Sequence, residues 1–512
     1  MSQSKQSKSI RFLNFIEEKG NQLPDPITIF IIFTLMVIGL SHLLTVMGTS
    51  VSFEGVNNET GKIETLTVKA VSLLAPEGIA YMFSHVVSNF TSFVALGPVL
   101  VAMLGVGVAE KSGYISALMT NTVTKAPRRF VTQIVVLMGV LSNVAASVGY
   151  VVLVPLGAII FLGFNRHPLA GLSAAFAGVA GGYSANLFLG TNDPLLSGIT
   201  TEAANILNAN YVVNPTDNWF FMFVSTFLIV IIGTLVTDKL IEPKLGTYKE
   251  VDKVERVNKI SVREKKGLLW ANVSILITIA LIALLVIPKN GVLRGVGGSI
   301  IQSPFMSSII FMMMLVFLVP GIVYGLVTKT IRNDKDIARL MASSLETMSG
   351  FIVLIFFAAQ FVALFNYTHL GTIIAVKGAT FLQAIHLDGA PLLVALIFIT
   401  AIINLFIAAD SAKWAIMAPV FVPMFMQMGI SPEVTQVAYR VGDSATNIIS
   451  PLMPFFPLVV AFAQRYGKEN GVGTVISLML PYSIIILISW SIFFIIWYVL
   501  GIPVGPGTNL NY

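Results

Sequence analysis

The feature that most constrains this chain is a set of apolar runs, each about the length that the membrane hydrocarbon demands. Crossing some 30 Å of hydrocarbon takes roughly 20 residues of helix. Runs of that kind lie near 27–48, 92–109, 168–188, 219–240, 268–288, 306–328, 343–365, 436–460 and 473–500. They are continuously apolar rather than alternating. Oil leaves every peptide group to be paired within its own segment, so such runs fold as helices. The reading is an all-α polytopic membrane protein with nine transmembrane helices.

Composition agrees with that reading. Hydrophobic residues make up 55% of the 512 residues and charged residues 11%, against about 25% charged in soluble proteins. The net charge of +6 does not point to nucleic acid, because the basic residues sit in short connectors between apolar runs. That placement suits the lipid bilayer and its anionic headgroups. Cysteine is absent, which excludes disulfides, thiolate catalysis and cysteine-ligated metals. Lys5, Lys8 and Arg11 are followed by Glu17 and Glu18, and the run from 27 to 47 is too long for the core of a signal peptide. A first membrane helix is expected there, not a cleaved leader.

Basic residues fix an expected orientation. Lys125, Arg128 and Arg129 form one cluster, and Lys329, Arg332, Lys335 and Arg339 another. The connector 243–266 holds eight Lys or Arg against four acids, and Arg465 with Lys468 marks a fourth basic connection. The 49–70 loop, the 201–218 loop with Glu202 and Asp217, and the uncharged tail after Leu500 lack such an excess. The positive-inside rule then puts the N-terminus in the cytoplasm and the C-terminus in the periplasm.

Two further regions, 130–161 and 392–428, are too long for one crossing and too polar at their centres for hydrocarbon. The first carries Ser142, Asn143, Ser147 and Gly149 at its middle, the second Asn404, Asp410 and Ser411. Both are expected to be re-entrant helical hairpins, tolerated where protein or a wet cavity covers the tip. On the charge-based topology they enter from opposite sides, as an inverted structural repeat requires. Related polar stretches follow each hairpin, Ser184-Ala185-Asn186 ahead of Pro194-Leu195 and Ser444-Ala445-Thr446-Asn447 ahead of Pro451-Leu452, about 260 residues apart. Segments 71–89 and 368–385 read equally well as interfacial helices and as loop helices packed on the outer face.

The candidate chemistry lies in these repeats. Gly190, Pro194, Pro451 and Pro454 are expected to break helices, freeing backbone groups to hold an ion or a carboxylate. Asn143, Asn186, Asn404 and Asn447 occupy matching places. They offer amide oxygens for a dehydrated Na⁺ and donors for a substrate carboxylate. Charges at membrane depth cost at least ~2.5 kcal/mol, so Asp193, Asp410, Lys413, Arg440 and Asp443 are expected to work. Arg440 with Asp443, and Asp410 with Lys413, are three residues apart, so on a helix each two share one face and could pair. Asp193 has no such neighbour. A buried carboxylate without a counter-ion suits reversible protonation, which makes Asp193 the first candidate for ion or proton coupling, followed by Asp443 and Asp410. Trp414 could pack or stack on an aromatic substrate. Gly295-Val296-Gly297-Gly298 lacks the Gly-Lys-Ser/Thr ending of a phosphate loop, and the five histidines are scattered, so neither an ATP engine nor a zinc centre is expected. No cofactor is called for beyond H⁺ or Na⁺, and no metal site beyond that Na⁺.

Residues 184–195, Ala409–Pro419 and Tyr439–Pro451 together resemble the AbgT family, the p-aminobenzoyl-glutamate transporters, and the likeness runs from about 12 to 505. The resemblance implies an inner-membrane homodimer with nine transmembrane helices and two hairpins per subunit, related in fold to the divalent anion/sodium symporters. Core transport regions would span about 92–215 and 343–470, with 27–89, 219–328 and 473–500 as scaffold and dimerisation domain. It implies carriage of p-aminobenzoyl-glutamate or export of sulfonamides, driven by the proton-motive force. Asp193, Trp414, Arg440 and Asp443 match the family's substrate path, and stacking by Trp414 on a p-aminophenyl ring gains weight accordingly. The alternatives are a sodium-coupled carboxylate symporter and a membrane channel. No nucleophile–base pair suggests an enzyme.

Overall fold

The computed structural model describes residues 24–56, 63–145, 149–248, 260–346, 348–407 and 409–512. The early charges Lys5 to Glu18, Ser147 at the first hairpin tip and 249–259 of the basic connector lie outside them.

The chain begins its first helix, α1 (Pro26–Val46), where Asp25 accepts from the Ile27 amide at 2.9 Å and Pro26 supplies a preset first turn. A two-stranded antiparallel hairpin follows, β1 (Ser50–Val56) and β2 (Ile63–Lys69), with Ser52 opposite Thr67. This corrects the all-α expectation. Val, Thr, Phe and Ile recur through 51–68, and such β-branched and aromatic residues favour a pleated ribbon. Segment 71–89 forms two short helices, Pro76–Ser84 and Val86–Thr91.

Then come α2 (Leu96–Lys111) and α3 (Tyr114–Thr124), bent by 57° at Gly113. The first expected hairpin is α4 (Val131–Ser142) and α5 (Val154–Gly163), with its turn at 143–153. Next, α6 (Pro168–Phe176) winds on to Gly181, the chain opens over 182–191, and α7 (Asn192–Ala204) resumes. The hairpin lies on α6 glycine to glycine. A Cβ on Gly139 would stand 2.8 Å from the Gly178 Cα, and one on Gly171 2.2 Å from the Gly157 carbonyl. Close backbone approach of this kind lets helices associate in a solvent that gives no hydrophobic drive between them.

Three long helices follow: α8 (Trp219–Val236), continuing to Leu245; α9 (Val262–Val286), opened by a Ser261/Glu264 capping box; and α10 (Ile309–Thr328). After them stand α11 (Asp334–Glu346), α12 (Ser349–Tyr367) and α13 (Leu370–Ala384). The expected second hairpin is α14 (Gly389–Asn404) and α15 (Asp410–Gln427). Segment 368–385, left open by the sequence, is the helix α13, which meets α14 at 118°. The second broken helix is α16 (Pro432–Asn447) and α17 (Phe456–Gln464), and α18 (Val472–Val499) closes the fold.

Among the described residues, six helices are each long and apolar enough to cross a bilayer. The remaining three expected spans are the bent pair at 96–124 and the two broken helices. α4 packs beside α6, and α14 beside α16, and the two halves meet where the Ser184 amide donates to the Ser444 hydroxyl at 3.1 Å.

Candidate functional site

Three of the four positions singled out as helix breakers lie in the two breaks, and Pro194 does not. Gly190 lies in the open stretch 182–191, while Pro194 is already the third residue of α7, where its missing N–H costs nothing. Pro451 and Pro454 both lie in the open stretch 448–455. Hydrogen bonds repeat across the two halves. Asn143 Nδ2 donates to the Gly182 carbonyl at 3.3 Å, and Asn404 Nδ2 to the Asp443 carbonyl at 2.8 Å. In each half, the asparagine at the hairpin tip ties itself to the helix that follows.

The charges are paired, but not as their spacing suggested. Arg440 Nη2 meets Asp193 Oδ1 at 2.7 Å and also the Ser184 carbonyl at 3.0 Å. Lys413 Nζ meets Asp443 Oδ1 at 2.5 Å and also donates to Asn404 Oδ1. Neither pair of residues three apart forms an ion pair. Arg440 turns away from Asp443 towards the first break, and Lys413 turns away from Asp410 into its own hairpin. Asp193 is therefore not a carboxylate without a counter-ion. Its second oxygen accepts from the Gly190 amide at 2.7 Å. Of these three acids, Asp410 is the one without an ion pair among the described residues: Tyr183 donates to its Oδ2 at 3.2 Å, and Tyr439 to its backbone carbonyl at 2.7 Å.

Lys413 is 0% exposed, Asp443 1% and Arg440 2%. So deep an ion pair is kept only by good geometry and extra hydrogen bonds. Some groups at this centre nonetheless lack partners. Arg440 Nε and Nη1, Asn143 Oδ1 and the Ser184 hydroxyl are buried with no hydrogen-bond partner among the described residues. A buried unsatisfied donor is costly, and Arg440 carries two of them, on different edges of its guanidinium plane.

The remaining candidates are spoken for. Asn404 Nδ2 is shared with Thr446 and Asn447 Oδ1, each at 2.9 Å. With the Lys413 ammonium on Asn404 Oδ1, a protein cation already stands where Na⁺ was expected in the second half. Asn186 folds its Oδ1 back onto the Leu187 amide at 2.9 Å. Trp414 is wholly buried, stacked on Tyr439 at 4.3 Å between ring centroids, with Nε1 bonded to Thr200 at 2.9 Å. One of its faces is thus covered by protein. The sequence reading passed over Tyr183 and Tyr439. A tyrosine directly before the Ser184 stretch, and one directly before Arg440, were the available signals.

Two cavities lie at opposite ends of α2, which is about 24 Å long at 1.5 Å per residue. One, of about 660 Å³, includes Ser92 and Phe93 at its start and is lined by Glu202, Asn89 and Tyr81. The other, of about 820 Å³, includes Ser112 and Gly113 at its end and reaches Pro155 of the first hairpin, Arg263 and Tyr324.

Asp217 titrates in the loop between α7 and α8. It is buried and accepts from the Asn214 amide at 2.7 Å. Burial pushes its carboxyl from 3.8 up to about 7, and the nearby Glu433 adds to the rise. The folded protein therefore holds a proton on Asp217 across that window while the unfolded chain does not. Stability must fall as pH rises from about 4 to about 7 and level off above. In melting curves, Asp217→Asn is expected to gain on the parent protein between pH 5 and pH 8. An equal offset at both values would mean that Asp217 does not titrate there.

Comparison with known proteins agrees with this architecture. The model of the "AbgT putative transporter family" matches residues 11–512. The p-aminobenzoyl-glutamate transport protein of Escherichia coli K12 is 39% identical over 502 residues, which is 98% of this chain and 97% of that protein. The Alcanivorax borkumensis YdaH transporter, described as having an unusual topology, superposes with a TM-score of 0.89 at 42% identity over 94% of this chain and all of its own. Neisseria gonorrhoeae MtrF, described as illuminating a class of antimetabolite efflux pumps, superposes at 0.92 with 50% identity over 97% of this chain and all of its own. Family match, full-length relative and superposed structures agree with the apolar helices, and the chain, an integral membrane protein, belongs to the AbgT family of transporters.

Proposed function

We propose that the protein is an ion-coupled secondary transporter of p-aminobenzoyl-glutamate or sulfonamide-type aromatic antimetabolites, working by alternating access. The observation that carries this reading is the set of unpartnered groups at the centre of the fold. Arg440 offers two free donors, with Asn143 Oδ1 and the Ser184 hydroxyl also unpartnered. A ligand that satisfies them needs an anionic or strongly accepting end and an N–H or O–H. A benzoyl-glutamate and a sulfonamide each have both. The names of the relatives supply the substrate class.

In this reading nine spans and two hairpins form each subunit of a homodimer in a bacterial inner membrane, with the N-terminus cytoplasmic and the C-terminus periplasmic. The hairpins and broken helices of regions 92–215 and 343–470 move together against the remaining helices. The site then opens in turn toward the two cavities at the ends of α2. The chain acts as a carrier, not an enzyme. The coupling ion is H⁺, since the Lys413 ammonium already fills the amide oxygen of Asn404. A sodium-coupled carboxylate symporter is the second reading, favoured by the unpartnered Asn143 Oδ1.

Proteoliposomes loaded with labelled p-aminobenzoyl-glutamate test the proposal. External unlabelled substrate should accelerate release of the label, and an imposed ΔpH, but not a Na⁺ gradient, should drive accumulation. Release indifferent to external substrate would remove carrier transport, and accumulation driven by Na⁺ alone would shift the reading to the symporter.

A further inference from the structure

We propose that Asp410, held by Tyr183, is the residue that binds the coupling proton, while Asp193 and Asp443 stay ionised as partners of Arg440 and Lys413. This rests on the transport reading above and assigns a role within it. The argument is a charge count. Among the described residues the centre holds three carboxylates, Asp193, Asp410 and Asp443, and two cations, Lys413 and Arg440. Two ion pairs, Asp193 with Arg440 and Asp443 with Lys413, cancel four of the five charges. Asp410 forms no ion pair among the described residues, so an ionised Asp410 leaves the centre one negative charge in excess. A single proton removes the excess without disturbing either pair. Putting the proton on Asp193 or Asp443 instead would strand a buried guanidinium or ammonium.

The surroundings suit the role. Asp410 opens α15 at the tip of the second hairpin, and it is only partly buried. Proton exchange is thus easier there than at its enclosed neighbours. The groups that face it are Tyr183 from the first break, Tyr150 from the first hairpin, and Tyr439 and Asp443 from α16, with Lys413 one turn along its own helix. None of the tyrosines carries a charge to replace the missing cation. Tyr183 also reaches Asn192 Oδ1 at 3.2 Å. One hydroxyl proton cannot serve both acceptors, so Tyr183 can turn from Asp410 to Asn192 when Asp410 takes up a proton. The Tyr183–Asp410 bond joins the two repeats. It therefore connects protonation to the contact between the second hairpin tip and the first broken helix. A centre carrying no net charge crosses a low-dielectric environment far more readily than a charged one.

Two readouts test this. In proteoliposomes, Asp410→Asn should keep exchange of labelled for unlabelled p-aminobenzoyl-glutamate within about threefold of the parent rate. It should lose accumulation under ΔpH. Tyr183→Phe should weaken coupling and shift its pH midpoint without abolishing it, since Tyr183 positions Asp410 but does not carry the proton. In infrared difference spectra of the purified protein taken across a pH step, Asp217 and other buried acids also contribute, so the test is one component of the carboxylic C=O band, present in the parent protein and absent in Asp410→Asn. Asp410→Glu covers the case in which the amide fails to fold: it should retain that component, moved in frequency. Failure of p-aminobenzoyl-glutamate to exchange would count against the substrate reading and leave the infrared band to decide on Asp410. ΔpH-driven accumulation in Asp410→Asn, or a band that keeps every component there, would overturn the assignment.

Discussion

Arg440→Lys is expected to cut transport of a carboxylate-bearing substrate by about 100-fold or more while the protein still folds. Among the described residues the guanidinium makes two hydrogen bonds with protein, both through Nη2, to Asp193 Oδ1 and the Ser184 carbonyl. A lysine ammonium can replace a point contact with Asp193. It cannot also present the two free donors, Nε and Nη1, in a fixed plane. A hydrogen bond to a charged group is worth about 1.5–3 kcal/mol, so losing two such bonds to substrate corresponds to roughly 3–6 kcal/mol. At 1.36 kcal/mol per tenfold, that is about two to four and a half orders of magnitude. The loss should appear mainly as a raised half-saturation concentration, because the bonds are made on binding. Thermal stability should fall by only about 1–2 kcal/mol, since Asp193 keeps a cation. A variant whose substrate affinity stays within threefold of the parent would show that the free donors do not meet the substrate.

How this site was assembled shows what a sequence can and cannot reveal. Apolar runs of about 20 residues and their polar interruptions were legible, because each depends on residues close together in the chain. The breaks at 182–191 and 448–455 fall where Gly190, Pro451 and Pro454 pointed. Partner choice was not legible. Spacing of three suggested Arg440–Asp443 and Asp410–Lys413, whereas Arg440 bonds to a residue 247 positions away and Lys413 to one 30 away. Helical spacing tells which side chains are able to meet. It does not tell which of them the fold draws off to a better partner. The same limit hid the stack of Tyr439 on Trp414, and it left Asp410, not Asp193, as the acid without a cation. The β-ribbon at 50–69 was missed for another reason: a strongly helical composition overrode a short local alternation.

The second large effect is expected at Lys413. Its ammonium, fully buried, touches Asp443 Oδ1, Asn404 Oδ1 and the Ile407 carbonyl, the last at 3.4 Å. Carboxylate, amide and backbone oxygens in one place form the shell a small cation would take, so the second hairpin carries its own cation on a tether. Lys413→Met should therefore cost about 3–5 kcal/mol, because it leaves Asp443 charged and buried with no partner. Most of that loss should return in Lys413→Met/Asp443→Asn, where both charges are gone. The coupling between the two sites should then be at least about 2 kcal/mol in a double-mutant cycle of melting data. Transport should not return with stability, because the tie from the hairpin tip through Asn404 to the second broken helix depends on the ammonium that orients Asn404. A double variant as stable as the parent and equally active would make the pair a dispensable strut. One that stays unstable would mean that Lys413 supports the fold through contacts other than Asp443.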